Sequence, residues 1–201
     1  MRIRIVTPAP PRSQSGNRIT ALRWARLLRQ LGHRVAVATE YRRARCDLLV
    51  VLHARRGYPS VRRFRRLRPG VPLVVALTGT DLNRDLPRDR RARRSLELAD
   101  RIVVLHPLAA ERVPPELRGK VRVIRQSAVA PRAAATEPRG AFDVCVLGHL
   151  RPVKDPFRAA MAVRRLPDDS RLRVVHVGAA LTPAMAARAR AEEARNPRYR
   201  W

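Results

Sequence analysis

Lysine is almost missing from this chain. Of 44 basic residues only Lys120 and Lys154 are lysines, and the rest are arginine. Acidic residues are few as well, 16 against those 44, which leaves a formal net charge of +28. Aromatic residues make up 4%. That is too few for the stacking platforms on which single-strand nucleic-acid binders hold bases, and it requires a core of Val, Leu, Ile and Ala. Two cysteines exclude a disulfide framework. Cys46 and Cys145 lie beside or within apolar runs and are expected as buried free thiols in a reducing cytoplasm. No apolar run approaches the roughly 20 residues needed to span a bilayer. MRIRIVTP is too short an apolar stretch for a secretory leader. A soluble, cytoplasmic protein without a transmembrane segment is expected.

Several chemistries are also missing. There is no GxGxxG and no GxxxxGK[ST], so neither a dinucleotide fingerprint nor a P-loop is present. There is no GxSxG nucleophile elbow. The five histidines show no paired spacing and no accompanying Cys or carboxylate cluster, so no metal is expected. Cys145 sits in an apolar strand-like run, where a thiolate is disfavoured.

The chain does have a strand–helix rhythm. Hydrophobic residues reach 45%, enough for a core. RIRIV (2–6), HRVAVAT (33–39), DLLVVLH (47–53), VPLVVALTG (71–79), RIVVLH (101–106) and KVRVIRQ (120–126) read as strands. Several hardly alternate, as in parallel strands covered on both faces. Helices are expected at 17–32, with an apolar stripe Ile19, Leu22, Ala25, Leu28 and Leu31, at 58–68, and at 90–100. Alternating strands and helices point to a doubly wound, Rossmann-like α/β sheet over 1–126. SAVAPRAAATEPRGA (127–141) has no apolar period and reads as a linker. Residues 142–201 restart the rhythm as the first two βα units of a second Rossmann-like domain. A helix is expected from Asp155 to Leu166 with Asp155 as its cap, and another over 182–196 capped by Thr182. Two such units do not close a domain, so the chain is expected to be C-terminally truncated.

In such sheets ligands gather at the carboxyl ends of strands. Ser15, Gly16 and Asn17 follow the first strand at the start of a helix, and fit either a turn with a helix cap or an anion-binding loop. His53 ends one strand, Thr80 and Asp81 follow another in TGTD, and His106 ends a third. Any one of these fits a structural hydrogen bond; together they fit a ligand edge. Gly148 ends the strand AFDVCVLG, and GHLRPVKDP then places Arg151 and Lys154 on the turn. A guanidinium fork and an ammonium at a strand-to-helix turn suit a phosphate or diphosphate. With so many arginines, two solvated surface cations are the alternative reading. The densest patch, RRFRRLR (62–68), reads as a solvated basic helix face or, less readily, a nucleic-acid contact.

The order of these motifs resembles the two-domain GT-B glycosyltransferases. LTGTDL (77–82) is similar to their HGTD segment, with Leu77–Thr78 where a His often stands, and GHLRPVKDP to their G-R-L-x-x-x-K-G element. RIVTPAPP, SGNRITALRWARLLRQLGHRV, CDLLVVLHARR, PLVVALTGTDL, SLELADRIVVLHPLA and VCVLGHLRPVKDPFRAA together resemble the selenosugar synthases of selenoneine biosynthesis within that group. The resemblance implies a transferase that moves a sugar from a UDP-sugar to selenophosphate, forming a carbon–selenium bond, with no cofactor beyond its donor. It makes Gly148, Arg151 and Lys154 the donor diphosphate site. The loop Ser15–Asn17 would face the cleft, and His53, Thr80 and Asp81 would line the acceptor pocket. The group's later acidic motif does not occur, and Glu192 and Glu193 are not that motif. Three alternatives stay open: a conventional transferase acting on a hydroxyl acceptor, a non-catalytic fragment, and a basic nucleic-acid-binding module.

Overall fold

The computed structural model describes residues 1–128 and 140–201. The chain divides into two compact units, Met1–Val129 and Ala130–Trp201. Most of the linker expected at 127–141 lies outside the described residues.

In the first unit β1 (Arg2–Val6), β2 (Arg34–Ala38), β3 (Leu48–Leu52), β4 (Leu73–Ala76), β5 (Arg101–Val104) and β6 (Val121–Val123) form one parallel sheet in the order β2-β1-β3-β4-β5-β6. β3, LLVVL, shows why its run does not alternate. Leu49 and Val51 pack on one face with Phe64, Leu73 and Leu96, while Val50 and Leu52 pack on the other with Ile3, Ile5 and Ala25. Each such buried side chain contributes about 1.5–3 kcal/mol. α1 (Gly16–Gln30) covers the second face. α2 (Ala54–Leu67), α3 (Arg90–Leu98) and α4 (Pro107–Glu111) cover the first. This is a Rossmann-like α/β sheet whose strand order reverses between β1 and β3, the point where such sheets open a crevice.

The first helix corrects its expected stripe. Thr20, Ala21 and Ala25 are buried, with Trp24 and Leu28 packed beside them, whereas Ile19, Leu22 and Leu31 are exposed. A strict spacing of three drifts about 60° per step around a helix of 3.6 residues per turn. Only the middle of the series can therefore face the sheet. α2 begins at Ala54, four residues before the expected start, and runs through Pro59. Gly57 makes this possible, because a Cβ there would sit 2.3 Å from Val51 Cγ1. The glycine is a close helix–strand contact and not a breaker.

The second unit holds β7 (Phe142–Leu147), β8 (Leu172–Val177) and β9 (Tyr199–Arg200) in that order, all parallel. α5 (Arg158–Val163) and α6 (Pro183–Arg195) both pack on the Val144–Val174–Tyr199 face. Two successive crossovers of one hand along strands added in one direction must land on one face. Cys145 lies on the other face and is exposed, contrary to the burial expected of it; Cys46 is buried. Thr182 caps α6 through Met185 N–H. β9 was not anticipated, and Trp201 is tied in, its backbone N–H donating to Glu193 and its indole N–H to Gly178. No helix among the described residues is long and apolar enough to cross a membrane.

Candidate functional site

In the first unit, polar groups collect at the carboxyl ends of β3 and β4. His53 ends β3 with φ +73°, in the left-handed region that a side chain rarely adopts. Its Nδ1 accepts the Arg56 amide at 3.3 Å and so caps α2. Accepting at Nδ1 leaves the proton on Nε2, which lies 3.9 Å from Asp85 Oδ2. Burial lowers the His53 pKa, although Asp81 and Asp85 oppose the shift, so the ring is neutral at pH 7.

Asp81 is fully buried. Its Oδ2 accepts Ala54 N–H at 2.9 Å, and its Oδ1 accepts Thr78 N–H at 2.9 Å and the Thr78 hydroxyl at 3.3 Å. Both oxygens are therefore used in tying the β3–α2 turn to the end of β4. In this structure Asp81 positions that edge from beneath. Thr80 precedes a single π turn, Asp81–Asp85, closed by Leu86 N–H reaching the Asp81 carbonyl. Its side chain is half-buried and forms no hydrogen bond with a described residue.

Asp85 escaped sequence reasoning. It is 5% exposed, and its Oδ2 has no hydrogen-bond partner among the described residues, while Oδ1 accepts Arg84 Nε at 3.0 Å. The available signal was the four-residue spacing of Asp81 and Asp85 in TDLNRD, which puts both on one side of a helical turn. His106 is exposed and caps α4 through Ala109 N–H.

Ser15 stands just before α1, which opens with Gly16 and Asn17. The Ser15 hydroxyl makes no capping bond, and it is buried without a hydrogen-bond partner among the described residues. The basic run 62–68 is partly consumed by structure. Phe64 is in the core, and Arg65 donates to the carbonyls of Leu98, Pro69 and Val71 and to Asp100. This fan locks the end of α2 to the α3–β5 turn.

In the second unit, the loops after β7 and β8 close on each other. Leu150 N–H bonds Ala179 O at 3.0 Å, and Ala179 N–H bonds His149 Nδ1 at 3.1 Å. Gly148 O faces His176 Nε2 at 2.9 Å. Arg151 and Lys154 follow on a short 3-10 turn, Pro152–Lys154. The expected cap is displaced. Asp155 takes φ +44°, α5 starts only at Arg158, and the Asp155 carboxylate accepts Arg158 Nε at 2.6 Å. Pro156 after Asp155 disfavours the helical conformation at the preceding residue, which delays the helix. The two cations thus stand apart from the helix N-terminus. Neither side chain has a hydrogen bond or ion pair with a described residue.

No family model matches the chain, and no curated protein matches it. Among the described residues no group of three or more His, Cys, Asp or Glu is placed to hold a metal ion.

Proposed function

We propose that the protein is a sugar transferase of the GT-B type that takes a UDP-sugar as donor and selenophosphate as acceptor, forming a carbon–selenium bond. One observation carries the donor assignment. Arg151 and Lys154 lie on the turn that leaves the carboxyl end of β7, and neither pairs with a carboxylate among the described residues, while neighbouring Arg158 and Arg173 are paired with Asp155 and Asp143. Two cations of different shape suit the oxygens of a departing diphosphate, whose charge they would neutralise as the sugar bond breaks. Selenophosphate is an anionic, soft nucleophile and needs little deprotonation. That agrees with a first unit whose buried histidine is already engaged as a helix cap. The loop Ser15–Asn17, His53 and Thr80 would face the acceptor, with Asp81 holding that edge in place. The selenium step rests on the motif resemblance alone.

The assay is UDP release from UDP-glucose and UDP-N-acetylglucosamine, offered selenophosphate or simple alcohols. Release with selenophosphate at least tenfold above that with alcohols is expected. Preference for alcohols would favour a hydroxyl-acceptor transferase, and no release with either acceptor would remove the transferase reading.

A further inference from the structure

A cleft of about 300 Å³ opens at the carboxyl ends of β1 and β2, within the first unit. Arg4, Arg18 and Arg42 line it, with Thr39 and Glu40. Glu40 accepts Arg42 Nε at 2.7 Å and also lies 3.8 Å from the Arg63 guanidinium, so its charge is already engaged. Arg4 and Arg18 are different. Both are half-buried, and neither guanidinium forms a hydrogen bond or ion pair with a described residue. The Arg18 Nε is fully shielded and has no hydrogen-bond partner among the described residues. An arginine cannot shed its proton, and a shielded, unpaired charge is costly to keep. Arg4, half-buried, lines the same cleft, so the cleft holds two arginines that Glu40 does not balance. A dianion would satisfy both.

We propose that this cleft binds a phosphate monoester of a small organic molecule, with Arg18 and Arg4 on the phosphoryl oxygens. Guanidinium forks match phosphate geometry. The cleft falls at the small end of organic-ligand sites, about 300–1,000 Å³, and has more room than a lone phosphate ion fills. Thr39 and Glu40, on the rim, offer a hydroxyl and a carboxylate to the ester's organic part. The site lies on different residues from the proposed donor turn and does not depend on the transferase reading.

The test is calorimetric titration of the intact chain with glucose 6-phosphate and with inorganic phosphate, at 150 mM salt to suppress non-specific binding by a very basic protein. One saturable site for the ester is expected, at least threefold tighter than for inorganic phosphate. Arg18→Ala should weaken the ester at least tenfold, whereas Arg66→Ala, which removes the same charge from an exposed helix position, should change it less than twofold. Arg18→Ala should leave UDP-glucose binding unchanged, so loss of UDP-glucose binding with the ester retained would count only against the donor turn. The ligand-free Arg18→Ala protein should melt at or above the wild-type temperature, since the side chain has no partner among the described residues to lose. Equal weakening by Arg18→Ala and Arg66→Ala, non-saturable binding, or a clear drop in the ligand-free melting temperature would overturn the proposal. Equal affinity for inorganic phosphate would overturn its assignment to an ester.

Discussion

Gly178→Ala unfolds the second unit at a lower temperature than any other single methyl added to a glycine of that unit. A Cβ at residue 178 would lie 2.0 Å from Gly148 O and 2.9 Å from His149 N. These are backbone atoms, so no side chain can swing away. The two loops must separate, and the Leu150–Ala179 and His149–Ala179 hydrogen bonds go with them. Overpacking of this kind costs about 1–3 kcal/mol where side chains can yield. A backbone collision places this case at the upper end, about 3 kcal/mol. Arg151 is three residues from Gly148, so the same change should also weaken UDP-sugar binding. Gly70→Ala, where nothing lies within 4 Å of the added atom, should shift stability by less than about 0.5 kcal/mol. Chemical denaturation of both variants checks this, and a Gly178→Ala midpoint equal to wild type would show that the loops are not closed on each other.

The second large effect lies beneath the same unit. Glu192 is 2% exposed. Burial alone would raise its pKa, but hydrogen bonds from Arg164, Asn196 and Arg195 outweigh burial and hold it at about 2 against an ordinary 4.5. A carboxylate whose folded pKa is depressed stabilises the fold above its unfolded pKa and loses that contribution as pH falls through the folded one. Stability tied to Glu192 is therefore complete above about pH 5 and drains away between pH 4.5 and 2. A shift of this size corresponds to at most about 3 kcal/mol. Glu192→Gln should cost up to that amount at pH 7. Arg164 and Arg195 are partly exposed and can rehydrate, which keeps the loss near the low end for broken buried pairs. The difference between wild type and variant should shrink as the pH is lowered to 2. A difference independent of pH would mean that Glu192 acts through packing alone.

Much of the sheet was legible in the sequence, because strands covered on both faces must be apolar throughout. LLVVL and RIVV are such strands, buried over nearly their whole length. Helix faces were less legible. α1 docks through Ala21 and Ala25, whose small size lets the backbone approach, while its larger aliphatic residues Ile19, Leu22 and Leu31 face solvent. The start of α2 was hidden by Gly57 and Pro59, which resemble a turn until Val51 is seen beneath the glycine. Asp155 has the chemistry of a cap, but Pro156 denies it the position. The exposure of Cys145 follows from topology, which no local pattern encodes. Of the candidate site, His53, Thr80, Arg151 and Lys154 stand at strand ends where the alternation put them. The buried roles of Asp81 and Asp85 depend on which amides fold back onto them. Arg18 and Arg4 had no signal among so many arginines, since only the cleft they line and the shielded Arg18 Nε set them apart.

The central claim is that the turn after β7 receives a diphosphate, and calorimetry tests it most directly. UDP-glucose titrated into the 201-residue chain at 150 mM salt should bind at a single site. The Arg151→Ala and Lys154→Ala variants should each weaken that binding by about tenfold or more, in line with the loss of a charge-assisted phosphate contact of about 1.5–3 kcal/mol. Binding that both variants leave untouched, or a wild-type protein that gives no heat with UDP-glucose or UDP-N-acetylglucosamine, would contradict it.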